Sequence, residues 1–277
     1  MGSFNTVIAH GLGQSLGDTH VTAEPFYSVE TVWYVNSATG VDAADPNGRS
    51  PAKPFATLAY AIAAASTYDT IVLMDGHIET LTAAATPKAG QVIVGGGTSS
   101  GKPTVKLTMN AAAAGMLTVS AACVQLRNIW FKANSQANSA VLIAVTGAGV
   151  LMKDCYVECA QYDDNYAVSL GAGSAHARIE GTTFISTATV LTAQPYTALG
   201  IITTLATGQT LSGVTFDGGT VGFSTGYAAN IAVGATALRL ENLTLLRGAD
   251  VLVLDSAGPT VSVSGITSDS SASIRTA

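Results

Sequence analysis

The densest set of groups able to do acid–base or metal chemistry is Asp154, Glu158, Asp163 and Asp164, four carboxylates within eleven residues. Clustered carboxylate oxygens are what a hard cation such as Ca²⁺ takes. No repeating Asp-x-Asp spacing accompanies them, and Asp154 occupies a position that Asn and Gly fill elsewhere in the chain, so solvated loop acids are expected and no metal or cofactor. A second set, Asp163, Asp164 and Glu180 with Arg178, has paired carboxylates of the type that serve as general acid and base, with a cation beside them. The competing reading of Arg178, Glu180 and the nearby Lys153 is a ladder of charge pairs that keeps a strand face solvated. A third set is Trp130 and Tyr156, which either stack on sugar rings or anchor a protein interface. The interface reading carries more weight.

Other nucleophile and metal chemistries find little support. His10, His20, His77 and His176 are scattered, without partners at metal or triad spacing. Cys123, Cys155 and Cys159 complete no zinc set and read as small apolar fillers in strands. Gly95-Gly-Gly97 is followed by Lys102 too late for a phosphate loop and reads as a turn.

The elements that position these groups follow from a repeat. From residue 124 onward, alternating apolar residues lead to an Asn, Asp or Gly and then to apolar-x-apolar. Val124-Gln-Leu-Arg-Asn128-Ile-Trp-Phe131 and Leu238-Arg-Leu-Glu-Asn242-Leu-Thr-Leu245 are two instances. The pivots are Asn128, Asp154, Gly181, Gly213, Asn242 and Gly265, separated by 26, 27, 32, 29 and 23 residues. Strands held in register with loops of variable length give such spacing. Asn, Asp and Gly are the types that tolerate a left-handed backbone at a turn. Period two then turns Val124, Leu126, Met152, Ile179, Leu211, Leu240 and Val263 inward.

Between the repeats lie nearly continuous apolar runs: Val141 to Val145, Ala167 to Leu170, Leu199 to Thr203, Asn230 to Val233 and Val251 to Leu254. Strands apolar on both sides are covered on both sides. With no helices to spare, a neighbouring subunit is the expected cover, and Val141, Ile143 and Ile201 join Trp130 and Tyr156 as interface candidates. Charge agrees: charged residues make up 11% of the chain, against roughly 25% in an ordinary domain. The net charge of -6 with 12 basic residues excludes a phosphate-backbone partner.

Residues 1–32 show no coil motif and read as an arm, without a signal peptide. No apolar run approaches the ~20 residues of a membrane span. Residues 33–68 read as a cap, with Phe55, Leu58 and Ile62 at helical spacing within Phe55 to Ala65, and 69–277 as coils, the first strand lying in 69–77. The fold expected is therefore all-β, a single-stranded right-handed parallel β-helix with an N-terminal capping helix and a short arm.

The run Tyr34-Val-Asn-Ser, Asn47-Gly-Arg-Ser-Pro-Ala-Lys-Pro-Phe55-Ala-Thr-Leu, Ile62 and Asp69-Thr-Ile-Val-Leu-Met-Asp-Gly resembles the cap and first coil of the pectate-lyase-like parallel β-helix superfamily. The likeness is close over about 45 residues and continues as pattern alone through the coils. It implies a fold more than an activity, because that superfamily holds lyases, hydrolases, epimerases and non-catalytic phage spike proteins. In character the chain is nearest to the last group. The expectation is a trimeric virion protein of a tailed phage, made in the host cytoplasm. It would be a capsid decoration or head spike sooner than a tail spike, held to a capsid or tail protein through residues 1–32. A host-surface glycan is a further expected partner; nucleic acid and membrane are not. The alternative that the resemblance implies is a polysaccharide lyase or glycosidase using Asp163, Asp164, Glu180 and Arg178.

Overall fold

The computed structural model describes residues 31–44, 47–109, 116–133, 141–159, 167–187, 199–201, 207–220, 223, 227–231, 237–247, 249–253, 261–269 and 274–276. The arm expected over 1–32 lies almost wholly outside them.

The chain winds into three parallel sheets, so the parallel β-helix is what forms. The first sheet stacks nine strands in chain order, from Val32–Val35 and Thr70–Leu73 through Gln125–Arg127 and Leu151–Lys153 to Val261–Ser264. The second stacks eight, from Ile78–Leu81 and Lys106–Met109 through Trp130–Ala133 and Tyr156–Cys159 to Thr267–Ser268. The third stacks seven, from Leu117–Val119 and Ile143–Val145 through Val168–Leu170 and Leu199–Ile201 to Ile274–Thr276. Each coil beyond the first two supplies one strand to each sheet, and neighbouring coils lie about 4.8 Å apart.

Register converts the sequence repeat into columns. On the first sheet Trp33, Ile71, Ile93, Leu126, Met152, Ile179, Leu211 and Leu240 pair one above the next and are all buried. On the second sheet Leu107, Phe131, Val157, Phe184, Phe216 and Leu245 do the same. Phe184 and Phe216 stack with centroids 5.2 Å apart, the offset geometry that aromatic rings prefer. Val263 holds the expected column but is 47% exposed, because its strand is paired on one side only.

All six pivots adopt the left-handed conformation, with φ from 52° at Asn128 to 64° at Gly265. Their N–H groups run up the stack, Asn128 donating to Lys153 O, Asp154 to Glu180 O and Gly181 to Ser212 O. Asn128 also donates its carboxamide to Gly95 O at 2.8 Å and Gly97 O at 3.0 Å, tying two coils together. A second left-handed column, absent from the sequence reading, precedes the first-sheet strands: Tyr68, Gly90, Cys123, Gly149, His176, Gly208 and Ala237.

The segment 33–68 differs in detail from its expected form. Val32–Val35 pairs with Thr70–Leu73 and is itself the first rung. The helix covers Leu58–Ala64 only. Phe55 stays outside it, because its N–H donates to Tyr34 O and its carbonyl accepts from Asn36 N–H, both at 2.8 Å. Seven residues are too few to be helical alone, and tertiary contacts hold both ends. Thr57 caps the start by accepting from Tyr60 N–H. Glu79, buried at the foot of the second-sheet core column, accepts Leu58 N–H at 2.8 Å and faces His77 Nε2 at 3.0 Å. Ser37 N–H donates to His77 Nδ1, so Nε2 carries the proton toward Glu79. At the other end Lys88 donates Nζ to Ala63 O and Ala65 O, a cation placed at the negative end of the helix dipole. Leu58, Ala61 and Ile62 bury themselves in the core.

Candidate functional site

Period two along the second sheet points Trp130 and Tyr156 away from the buried Phe131 and Val157. They stand opposite one another on neighbouring coils and meet edge to face, centroids 6.2 Å apart. Around them the fold assembles charge. A hairpin, Thr98–Ser99 with Lys102–Pro103, carries Lys102 over the pair. Its Nζ lies 3.2 Å from the Trp130 centroid and 4.1 Å from that of Tyr156. Lys106, in register with Trp130 on the preceding coil, places Nζ 5.0 Å from the same indole. Glu158 reaches Lys102 and Lys132, each at 3.4 Å.

The electrostatics follow from partial burial. Burial pulls the Lys102 ammonium below the ordinary lysine value, against the attraction of Glu158, which raises it. Burial and then the negative charge of Glu158 push the Tyr156 phenol up, so it remains an O–H donor at neutral pH. The face thus offers two aromatic rings, a phenol donor and three ammonium groups balanced by one carboxylate. Such a surface grips a polar partner through stacking, cation–π contact and charge-assisted hydrogen bonds.

The other sequence candidates fall elsewhere. Arg178 pairs with Glu180 at 3.2 Å, and Lys153 reaches Glu180 across the coil boundary at 3.6 Å. Both cations are about half exposed, forming the charge ladder on the first sheet. Asp163 and Asp164 lie outside the described residues. Asp154 holds its turn, with φ 53°, while Glu158 turns to the lysines, so these two of the four carboxylates serve different contacts. Among the described residues no group of three or more His, Cys, Asp or Glu is arranged to hold a metal ion.

The interface candidates on the third sheet need one correction. Ile143 is fully buried in the core, beside Leu117 and Val168 in register, because alternation turns it inward. Val141 is half-buried, and Ile201 holds the register position between Leu170 and Ile231. The alternate positions of this sheet form the register column Thr118, Ala144, Ser169, Gly200, Asn230, Leu252 and Arg275, mostly small or polar types where an apolar outer face was expected. Ser169 is only 5% exposed, so at that point the chain supplies its own cover.

The sequence reading found the aromatic pair and missed the lysines around it. Lys132 was legible, standing two residues beyond Trp130 on the same strand face. Lys106 required phasing the coils before residue 124, where the repeat is obscured by the hairpin insertion.

No family model matches the chain, and no curated protein matches it significantly. Among solved structures, an alginate lyase from Paenibacillus sp. str. FPU-7 aligns over 78% of this chain and 94% of its own, with 12% identity and a TM-score of 0.38.

Proposed function

We propose that this chain is a structural and recognition part of a tailed-phage particle, a trimeric β-helix on the virion surface, decorating the capsid sooner than the tail. Charge distribution carries the reading. The outward positions of the first and second sheets hold Arg127, Lys153, Arg178, Glu180, Lys106, Lys132, Glu158 and Asp217, whereas the third-sheet register column Thr118, Ala144, Ser169, Gly200, Asn230 and Leu252 reaches an ionisable residue only at Arg275, in its last coil. A solvated wall is normally charged; an uncharged one along a rigid stack suits contact with a copy of itself. Residues 1–32 are assigned to attachment.

Mass measurement in solution tests the reading. A trimer is expected, dissociating when Thr118→Glu and Ala144→Glu place charge on the uncharged column. A monodisperse monomer at micromolar concentration refutes it. Deleting residues 1–30, which spares Thr31 and the first rung, is expected to abolish particle binding and leave the trimer intact.

A second reading has its own support in the face around Trp130 and Tyr156, whose rings and ammonium groups match the demands of an anionic glycan. On that reading the protein binds or cleaves a host-surface polysaccharide. Incubation with acidic polysaccharides separates the two activities. A lyase generates a carbon–carbon double bond visible by ultraviolet absorbance, a hydrolase generates reducing ends, and simple binding generates neither.

A further inference from the structure

A concave site lies in the capping segment, beside the helix Leu58–Ala64. It is a cleft of about 650 Å³ lined by Trp33, Asn47, Arg49, Phe55, Tyr60 and Ala64, within the size range of small-molecule sites. Its back wall is built rigidly. Asp69, itself buried, accepts the Trp33 indole N–H at 2.9 Å. Phe55 stacks on the other ring at 5.5 Å, and Tyr60 meets Phe55 edge-on at 4.8 Å.

Arg49 supplies the chemistry. Its guanidinium carbon sits 3.9 Å from the Trp33 ring centroid, while the residue remains exposed. Packing of a guanidinium face on a ring leaves the N–H bonds free along the edge, the fork that takes a carboxylate through two parallel hydrogen bonds. Among the described residues Arg49 forms no ion pair. Asp69, which feels the charge of Arg49, is committed to Trp33, Ser66 and Thr31. Half-buried Tyr60 and exposed Ala64 complete the lining of the same cleft, an aromatic ring and a methyl within it.

We infer that this cleft binds an aromatic carboxylate, the acid held by Arg49 and Asn47 and the ring resting against Tyr60. The inference is independent of the assembly and glycan readings above. It uses neither the outer columns of the coils nor the face around Trp130.

The probe is benzoate, with benzamide as its uncharged counterpart and cyclohexanecarboxylate as its non-aromatic one. The Trp130→Phe variant leaves Trp33 as the sole indole, so its emission reports on this cleft. Saturable change with benzoate is expected, weakened about tenfold or more for benzamide and for benzoate on an Arg49→Gln variant, the loss of one charge-assisted pair. Absence of saturation, or equal affinity for benzoate and benzamide, overturns the proposal. So does unaltered affinity in Arg49→Gln. Cyclohexanecarboxylate binding as tightly as benzoate overturns the aromatic part. The benzamide comparison uses the unsubstituted arginine and stands even if the variant is unstable.

Discussion

The imidazole of His176 lies over Gly208 on the following coil, so close that a Cβ added to the glycine would stand 2.6 Å from Nδ1. Both residues are left-handed, with φ of 58° and 68°. The same arrangement joins Asp154 to Gly181, where the added Cβ would meet Oδ1 at 2.4 Å. A side chain in a left-handed column leans onto the next coil, and glycine there makes room. Gly208→Ala is therefore expected to lower stability by about 1–3 kcal/mol, combining left-handed strain with a displaced ring. Adding His176→Ala should restore the contact part and leave the backbone part. Thermal unfolding followed by circular dichroism reads both.

Asp69 predicts an acid dependence. Burial alone would raise its carboxyl, but the hydrogen bonds from Trp33, Ser66 and Thr31 and the charge of Arg49 outweigh it and hold the group below the ordinary aspartate value. A depressed folded value means stability present above the unfolded value of about 3.9 and lost as pH falls through the folded one. Asp69→Asn should thus be less stable than the parent at neutral pH. The difference should shrink as pH falls below about 4, measured as the gap between their unfolding temperatures.

The thiols should separate by reactivity. Burial pushes Cys155 up to about 12, and Cys159 is fully buried as well, whereas Cys123 is exposed. Because the thiolate is the nucleophile, alkylation of the native protein is expected at Cys123 alone, with Cys155 and Cys159 labelled only in denaturant. Peptide mass mapping after brief iodoacetamide treatment gives the answer. Rapid native labelling of Cys155 would contradict its placement in the core.

Lys88 gives a test of how the short helix is held. Its ammonium bonds two carbonyls at the helix end, and no basic residue stands in the last turn to replace it. Lys88→Met keeps the aliphatic stem and removes the cation. The expected loss is about 1–3 kcal/mol in denaturant unfolding, and a neutral outcome would mean that packing of Leu58 and Ile62 suffices.

The pivots were legible because a left-handed turn restricts residue type, and Asn128, Asp154 and Gly181 advertise themselves. The inward columns were legible because burial enforces period two. The second left-handed column escaped because its glycines, Gly90, Gly149 and Gly208, alternate with residues such as Tyr68, Cys123 and Ala237 that do not favour that conformation; the neighbouring coils impose it through hydrogen bonds such as Cys123 N–H to Ala148 O. Ile143 was misassigned for a related reason. A short apolar run does not reveal which of its residues points inward until register with Leu117 and Val168 fixes the phase. The lysines around Trp130 come from a hairpin and an earlier coil, and long-range placement of that kind leaves little trace in local pattern.

The stacking of coils makes the protein a ruler. Because each coil advances by one graduation of about 4.8 Å, a group's position along the outside is set by counting coils and its direction by which sheet carries it. Lys106, Trp130 and Tyr156 stand on three successive graduations of one edge. Exchanging a residue at one mark leaves the marks farther along where they were. Spacing between surface features can therefore change in whole steps, through gain or loss of a coil, while the chemistry at each mark is altered independently.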